Sequence, residues 1–255
     1  MTAGTALREI LDFLLPTRCL GCDDRLPLDG PAQPVCVTCL ARLRPPPWPR
    51  CPRCHYPNGT GRLAPTCLAC HDWPAALRGA RSAVILEDRA GRLVHALKYE
   101  GWRELAPLMA DRMRDLPLPD AALAGRAVVV PIPTTSRRRR QRGYNQAALL
   151  ASAYARGADL QFVEALVRNA GGGSQVSLHP AQRQSNVRGA FSMAPSSSGS
   201  ISGRQVVLVD DVLTTGATAG EAAATLERAG AEGVSLVTFA RALPERRRDL
   251  TGAIA

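Results

Sequence analysis

The chain has 255 residues, 45% of them hydrophobic and 21% charged, which are globular proportions with room for a full α/β core and one small extra module. No apolar run approaches the roughly 18 residues of a membrane span, so no membrane-spanning helix is expected. A formal net charge of +10 favours phosphate-bearing partners without choosing between nucleotide and nucleic acid.

Residues 1–15 space apolar residues at helical intervals around Arg8, Glu9 and Asp12. They lack a basic start and a clean apolar centre, so they read as an amphipathic lead helix over 1–17 rather than a secretory leader, and the expected location is cytoplasmic. All eight cysteines then fall within residues 19–70, as the CxxC pairs Cys19/Cys22, Cys36/Cys39, Cys51/Cys54 and Cys67/Cys70. The intervening loops of 13 and 12 residues suit two four-thiolate zinc sites. Without a secretory leader, disulfides are the weaker reading. First four with last four is the simplest assignment; a cross-braced pairing satisfies the same count. The region is rich in Pro and poor in core, so zinc supplies its folding energy. His55 and His71 follow cysteines and read as surface residues. The segment around Trp73 and Pro74 reads as a linker.

From about Gly79, strands alternate with helices. Strands are expected at Arg81–Leu86, Ala127–Ile132, Gln161–Leu166, Val206–Val209 and Val234–Phe239. Helices are expected at Ala90–Lys98, Glu104–Arg114, Gln146–Ala155 and Ala219–Ala229, the last closed by Gly230. This alternation predicts a mostly parallel sheet flanked by helices. Ser196–Gly203 reads as a flexible loop, and the chain after Arg241 as a frayed tail. The expected division is a zinc-binding module with its lead helix over 1–75, an α/β domain over 76–245, and a tail over 246–255.

Three segments carry chemistry. Lys98 is the only lysine in the chain, and it ends a helical pattern just before Gly101. Pro131–Gln146 ends a buried strand and continues into a loop with Arg137, Arg138, Arg139, Arg140 and Arg142, a charge density that calls for solvent or an anion. Tyr144 offers this loop one ring for base stacking. Val206–Thr218 is the most specific. Its apolar strand meets Asp210 and Asp211, then the small residues Thr214, Thr215, Gly216, Ala217 and Thr218, then a helix. A turn into a helix N-terminus presents N–H groups and partial positive charge to a phosphate. The adjacent acids suit ribose hydroxyls or a divalent cation. Open α/β sheets bind ligands at such strand ends.

Val206–Thr218 resembles the signature of phosphoribosyltransferases of the type I fold. That resemblance implies that Asp210 and Asp211 hold the ribose hydroxyls of phosphoribosyl pyrophosphate (PRPP), and that Thr214–Thr218 holds its 5′-phosphate. It implies that Lys98 holds pyrophosphate, with the loop of Arg137 and Arg138 closing over the ligand and Mg2+ bridging its oxygens. Together with the CxxC module, PIPTTSRRRRQRGYNQ and Gln175–Phe191 (QVSLHPAQRQSNVRGAF), the chain resembles the ComF family from about Cys19 to Phe239. That family is linked to natural competence and the handling of single-stranded DNA. Members often place Thr shortly before the Gln of the Gln175 segment; Gly171, Gly172, Gly173 and Ser174 stand here, so no acceptor-side role is carried over. The resemblance implies either pentosyl transfer from PRPP to a nitrogen acceptor, or a non-catalytic factor that holds nucleotide or single-stranded DNA through the basic loop and zinc module. DNA-uptake proteins would be its partners.

Overall fold

The computed structural model describes residues 17–27, 33–58, 67–118, 127–169, 189–195 and 197–244. The expected lead helix, nearly all of the Gln175–Phe191 segment and the tail beyond 244 lie outside them. The first knuckle carries a short helix, α1 (Val37–Ala41). Then follow β1 (Leu77–Ile85), α2 (Asp88–Tyr99), α3 (Leu105–Arg114), β2 (Val128–Pro131), α4 (Ser136–Arg142) and α5 (Gln146–Ala158). After them come β3 (Gln161–Phe162), β4 (Leu166–Arg168), β5 (Phe191–Met193), β6 (Gln205–Leu213), α6 (Ala217–Arg228) and β7 (Gly233–Arg241).

Five strands form one parallel sheet in the order β1-β7-β6-β2-β3, and β4 pairs antiparallel with β5 apart from it. Period-two alternation divides each strand between the two faces. Val129, Val207, Val209, Val237 and Phe239 pack with buried residues of α2, α3 and α5. Val128, Val130, Val206, Leu208, Val234 and Leu236 pack with α6 and β4. Each four-cysteine unit joins a different face. Cys19 and Cys39 belong to the first cluster, and Cys51, Cys54 and Cys70 to the second. Backbone bonds stitch them to the sheet, with Ile85 N–H donating to Arg44 O and Ala80 N–H to Arg53 O, both at 2.8 Å.

Several expectations change. β6 runs four residues past Val209, through both acids, because Asp210 and Val212 pair with Thr238 and Ala240 of β7. The basic segment is the helix α4, not a loop. Thr135 Oγ1 caps its start by accepting from Arg138 N, and Gly143 ends it at φ +78. Ser196–Gly203 contains a 3-10 turn and buries Ile201 completely. His55 is buried, and burial next to Arg81, Arg50 and Arg241 lowers it to about 4, which keeps it neutral. Trp73 is buried under the turn that precedes α6.

Candidate functional site

In the order β1-β7-β6-β2-β3, the connections after β2 and β6 leave in opposite directions, so a crevice opens between their carboxyl ends. A cavity of about 550 Å3 sits there. Its wall includes Lys98 and Tyr99 of α2, Thr134 beyond β2, Arg138 and Arg142 of α4, and Arg168 of β4. Asp210, Asp211, Thr214 and Thr218 complete it from β6 and α6. The volume lies within the range of small-molecule sites.

The strand geometry sends the two acids to different surroundings. Asp211 is buried, and its Oδ2 meets Lys98 Nζ at 2.9 Å. Lys98 lies in the last turn of α2, where the helix dipole also favours a cation. Asp210 is half-buried, and its Oδ1 accepts from Asp211 N–H at 2.9 Å. Loss of hydration first, and the neighbouring Asp211 carboxylate second, push Asp210 up to about 7; Lys98 and Arg168 pull against this. No cation forms an ion pair with Asp210 among the described residues. A cation bound beside Asp210 would therefore favour its ionised form.

Gly216 adopts φ +86 and opens α6, whose next amide bond runs from Gly220 N–H to Gly216 O at 2.8 Å. Ala217 N–H is capped by Thr215 Oγ1 at 3.4 Å. A 12-residue helix thus begins at the cleft with its positive end toward it.

Of the residues singled out by sequence, Lys98, Arg138, Asp210, Asp211, Thr214 and Thr218 meet in the cleft. Thr215, Gly216 and Ala217 form the turn behind Thr214, while Arg137 is exposed and lies outside the cleft wall. The motif after Arg140 is structural as well as polar. Arg142 Nη1 donates to the buried Gln146 Oε1 at 2.8 Å, and Asn145 Nδ2 donates to Ile132 O at 3.3 Å, which ties the start of α5 to the end of β2. Tyr144 is not a stacking ring: it is buried, its hydroxyl donates to Leu97 O, and Arg103 covers its face at 4.6 Å. The exposed ring at the rim is Tyr99, stacked by Arg142 at 4.6 Å. Sequence reasoning missed Arg168. Its guanidinium covers Phe191 at 5.2 Å and leaves Nε without a partner; no local pattern placed Arg168 in the same cleft as Asp210.

The eight thiols gather into two sets, Cys19/Cys22/Cys36/Cys39 and Cys51/Cys54/Cys67/Cys70, with the sulfurs of each set within 4.8 Å of one another. This excludes the cross-braced pairing. Cys22–Cys36, Cys51–Cys70 and Cys54–Cys67 sulfurs are all 3.8 Å apart. A tetrahedron of sulfurs about 2.3 Å from a central zinc has edges of about 3.8 Å, so both sets fit one Zn2+ each. Four thiolates around Zn2+ leave a net charge of −2. Beside the second set, Arg241 is 1% exposed and donates Nη1–H to Cys54 O at 2.9 Å, and Arg81 donates to Arg53 O at 3.2 Å. Buried cations thus stand next to the place where the negative charge would be.

Residues 144–254 match the phosphoribosyl transferase domain family, and residues 10–71 the double zinc ribbon domain family. The chain is 30% identical to the DNA utilization protein YhgH of Salmonella typhi, over 90% of this chain and 99% of that protein. It is 35% identical to competence protein F of Haemophilus influenzae, over 59% of this chain and 67% of that protein. It is 27% identical to competence protein ComFC of Bacillus subtilis, over 88% and 94% respectively. Among the described residues no helix is long and apolar enough to cross a membrane. The chain belongs to the ComF family, with a phosphoribosyltransferase domain behind an N-terminal double zinc ribbon.

Proposed function

We propose that the cleft binds PRPP with Mg2+ and transfers its phosphoribosyl group to a nitrogen acceptor, releasing pyrophosphate. One observation carries this reading: the acid pair and the phosphate-suited turn converge at the crevice between β2 and β6. In this reading Asp210 and Asp211 accept hydrogen bonds from the ribose hydroxyls. The amides of Thr214–Thr218 and the start of α6 hold the 5′-phosphate. Lys98, Arg138 and Arg142 offset the pyrophosphate charge, and Lys98 exchanges Asp211 for a pyrophosphate oxygen as the ligand enters. Mg2+, when bound with the ligand, supplies a hard cation for pyrophosphate and ribose oxygens. The nitrogen lone pair forms the new bond to C1 as the C1–O bond breaks, and the electron pair leaves on pyrophosphate. Positive charge develops on the ribose, so the chain's task is to position groups and stabilise charge. Asp211→Asn removes a charge opposite Lys98 and is expected to cut PRPP-dependent pyrophosphate release by at least about 100-fold in a coupled assay; full turnover in the variant would refute the transferase reading.

A second reading, in which the protein handles single-stranded DNA without turnover, is favoured by α4. Arg137, Arg138, Arg139 and Arg140 are all exposed there, and none forms an ion pair with a described acid. The names of the relatives point the same way. Changing these four to Ala should weaken single-stranded DNA binding and flatten the log–log salt slope by about 3. An unchanged slope in fluorescence anisotropy would exclude α4 as the DNA-binding face.

A further inference from the structure

We infer that Trp73 is the positioning residue of the Thr214–Thr218 loop, through which the fold of the second zinc ribbon sets the phosphate end of the cleft. The inference rests on reading that loop as the 5′-phosphate seat. Trp73 Nε1–H donates to Thr215 O at 2.9 Å across 142 positions of sequence. Across a trans peptide, the Gly216 N–H points opposite to the Thr215 carbonyl. Holding that carbonyl against the indole therefore turns the first amide of the turn away from the ribbon. The indole also fills the space beneath Gly216, where a Cβ would lie 2.5 Å from Cε2, Cζ2 and Nε1. Glycine is needed there twice, for φ +86 and for the ring. Pro74 braces the next turn, with its Cδ 3.0 Å from where a Cβ of Gly220 would be.

Trp73 is itself held by the second ribbon. Its N–H donates to Cys70 O at 3.2 Å. Arg53, lying between Cys51 and Cys54, donates to Cys70 O at 3.0 Å, Pro74 O at 3.1 Å and Leu77 O at 2.8 Å, with a longer 3.5 Å bond to Trp73 O. One guanidinium thus collects carbonyls from the opposite knuckle, the Trp-Pro step and the first residue of β1. A second cavity of about 550 Å3, walled by Tyr56, Trp73, Thr214 and Thr215 among others, lies on the ribbon side of the loop. The loop is a partition between two cavities, and Trp73 is its strut on the ribbon side.

Trp73→Phe keeps the ring and removes the N–H. The full-length, zinc-loaded variant is compared with the parent in two measurements: hydrogen exchange of the amides of residues 215–218, and calorimetric titration with ribose 5-phosphate and, separately, pyrophosphate. The variant should retain both zinc ions, exchange those amides faster, and bind ribose 5-phosphate about tenfold more weakly, with pyrophosphate affinity within about twofold of the parent. Unchanged exchange, or equal loss for both probes, would overturn the inference and leave Trp73 as core packing. A parent protein that binds neither probe would refute the phosphate-seat reading, while the exchange arm still decides whether Trp73 sets the loop. If Trp73→Phe does not fold, Arg53→Lys, which loosens the carbonyls on either side of Trp73 and leaves the loop's own residues intact, is put through the same assays, with the same outcomes expected.

Discussion

Cys54→Ser is expected to abolish cooperative folding of the whole chain rather than of the ribbon alone. Cys54 is fully buried and shares one core cluster with strands β1, β2, β6 and β7 and helix α6. Structural zinc in small domains contributes about 10–16 kcal/mol, which matches or exceeds the total stability of a typical domain. The charge argument adds to this. Without the zinc thiolate cluster and its −2 charge, Arg241 remains 1% exposed at the end of β7 with no carboxylate paired to it among the described residues. An uncompensated buried charge costs about 3–5 kcal/mol. The variant should purify with at most one zinc and show no cooperative thermal transition by circular dichroism. Two zinc ions and a melt within a few degrees of the parent would show that the second ribbon is an appendage.

Asp210→Asn is expected to stabilise the apo protein at pH 8 while destroying its ligand affinity. In the unfolded chain this carboxyl ionises near the ordinary 3.8; folding raises it to about 7. Between these values the unfolded state is ionised and the folded state still holds its proton. Stability therefore falls as pH rises from about 4 to about 7, and the full penalty persists above that. Asn carries no such penalty and can still accept from Asp211 N–H. The variant should melt at least a few degrees higher than the parent at pH 8, and the two should converge near pH 4. Its affinity for PRPP with Mg2+ should fall at least about 100-fold. Stability and binding moving in opposite directions mark a site where folding energy is given up for function. Equal melting temperatures at both pH values would mean that Asp210 is well hydrated and not strained by Asp211.

Much of this architecture was legible in the sequence because it rests on local signals. The Val-rich strands, the CxxC spacings and the turn from Thr214 to Gly216 each announce themselves within a few residues. Element ends were less legible where a partner strand overrides local preference. Asp210 and Asp211 read as the residues after a strand, yet pairing with Thr238 and Ala240 keeps the backbone extended through Leu213. Thr135 and Gly143 cap α4, but five arginines within six residues read locally as a solvated loop. The long-range pairs were not legible at all. Lys98 with Asp211, Trp73 with Thr215 and Arg168 beside Asp210 join positions far apart in sequence that only the tertiary fold brings together. His55 looks like a surface residue in the sequence because nothing local reveals its burial beside Arg81 and Arg241.

Calorimetric titration of the zinc-loaded protein with PRPP, with and without Mg2+, run beside Asp211→Asn, decides whether the cleft between β2 and β6 is a PRPP site. Mg2+-dependent binding on the order of micromolar is expected in the parent and none in the variant. Absence of binding in the parent, or the same affinity in the variant, would refute a PRPP site.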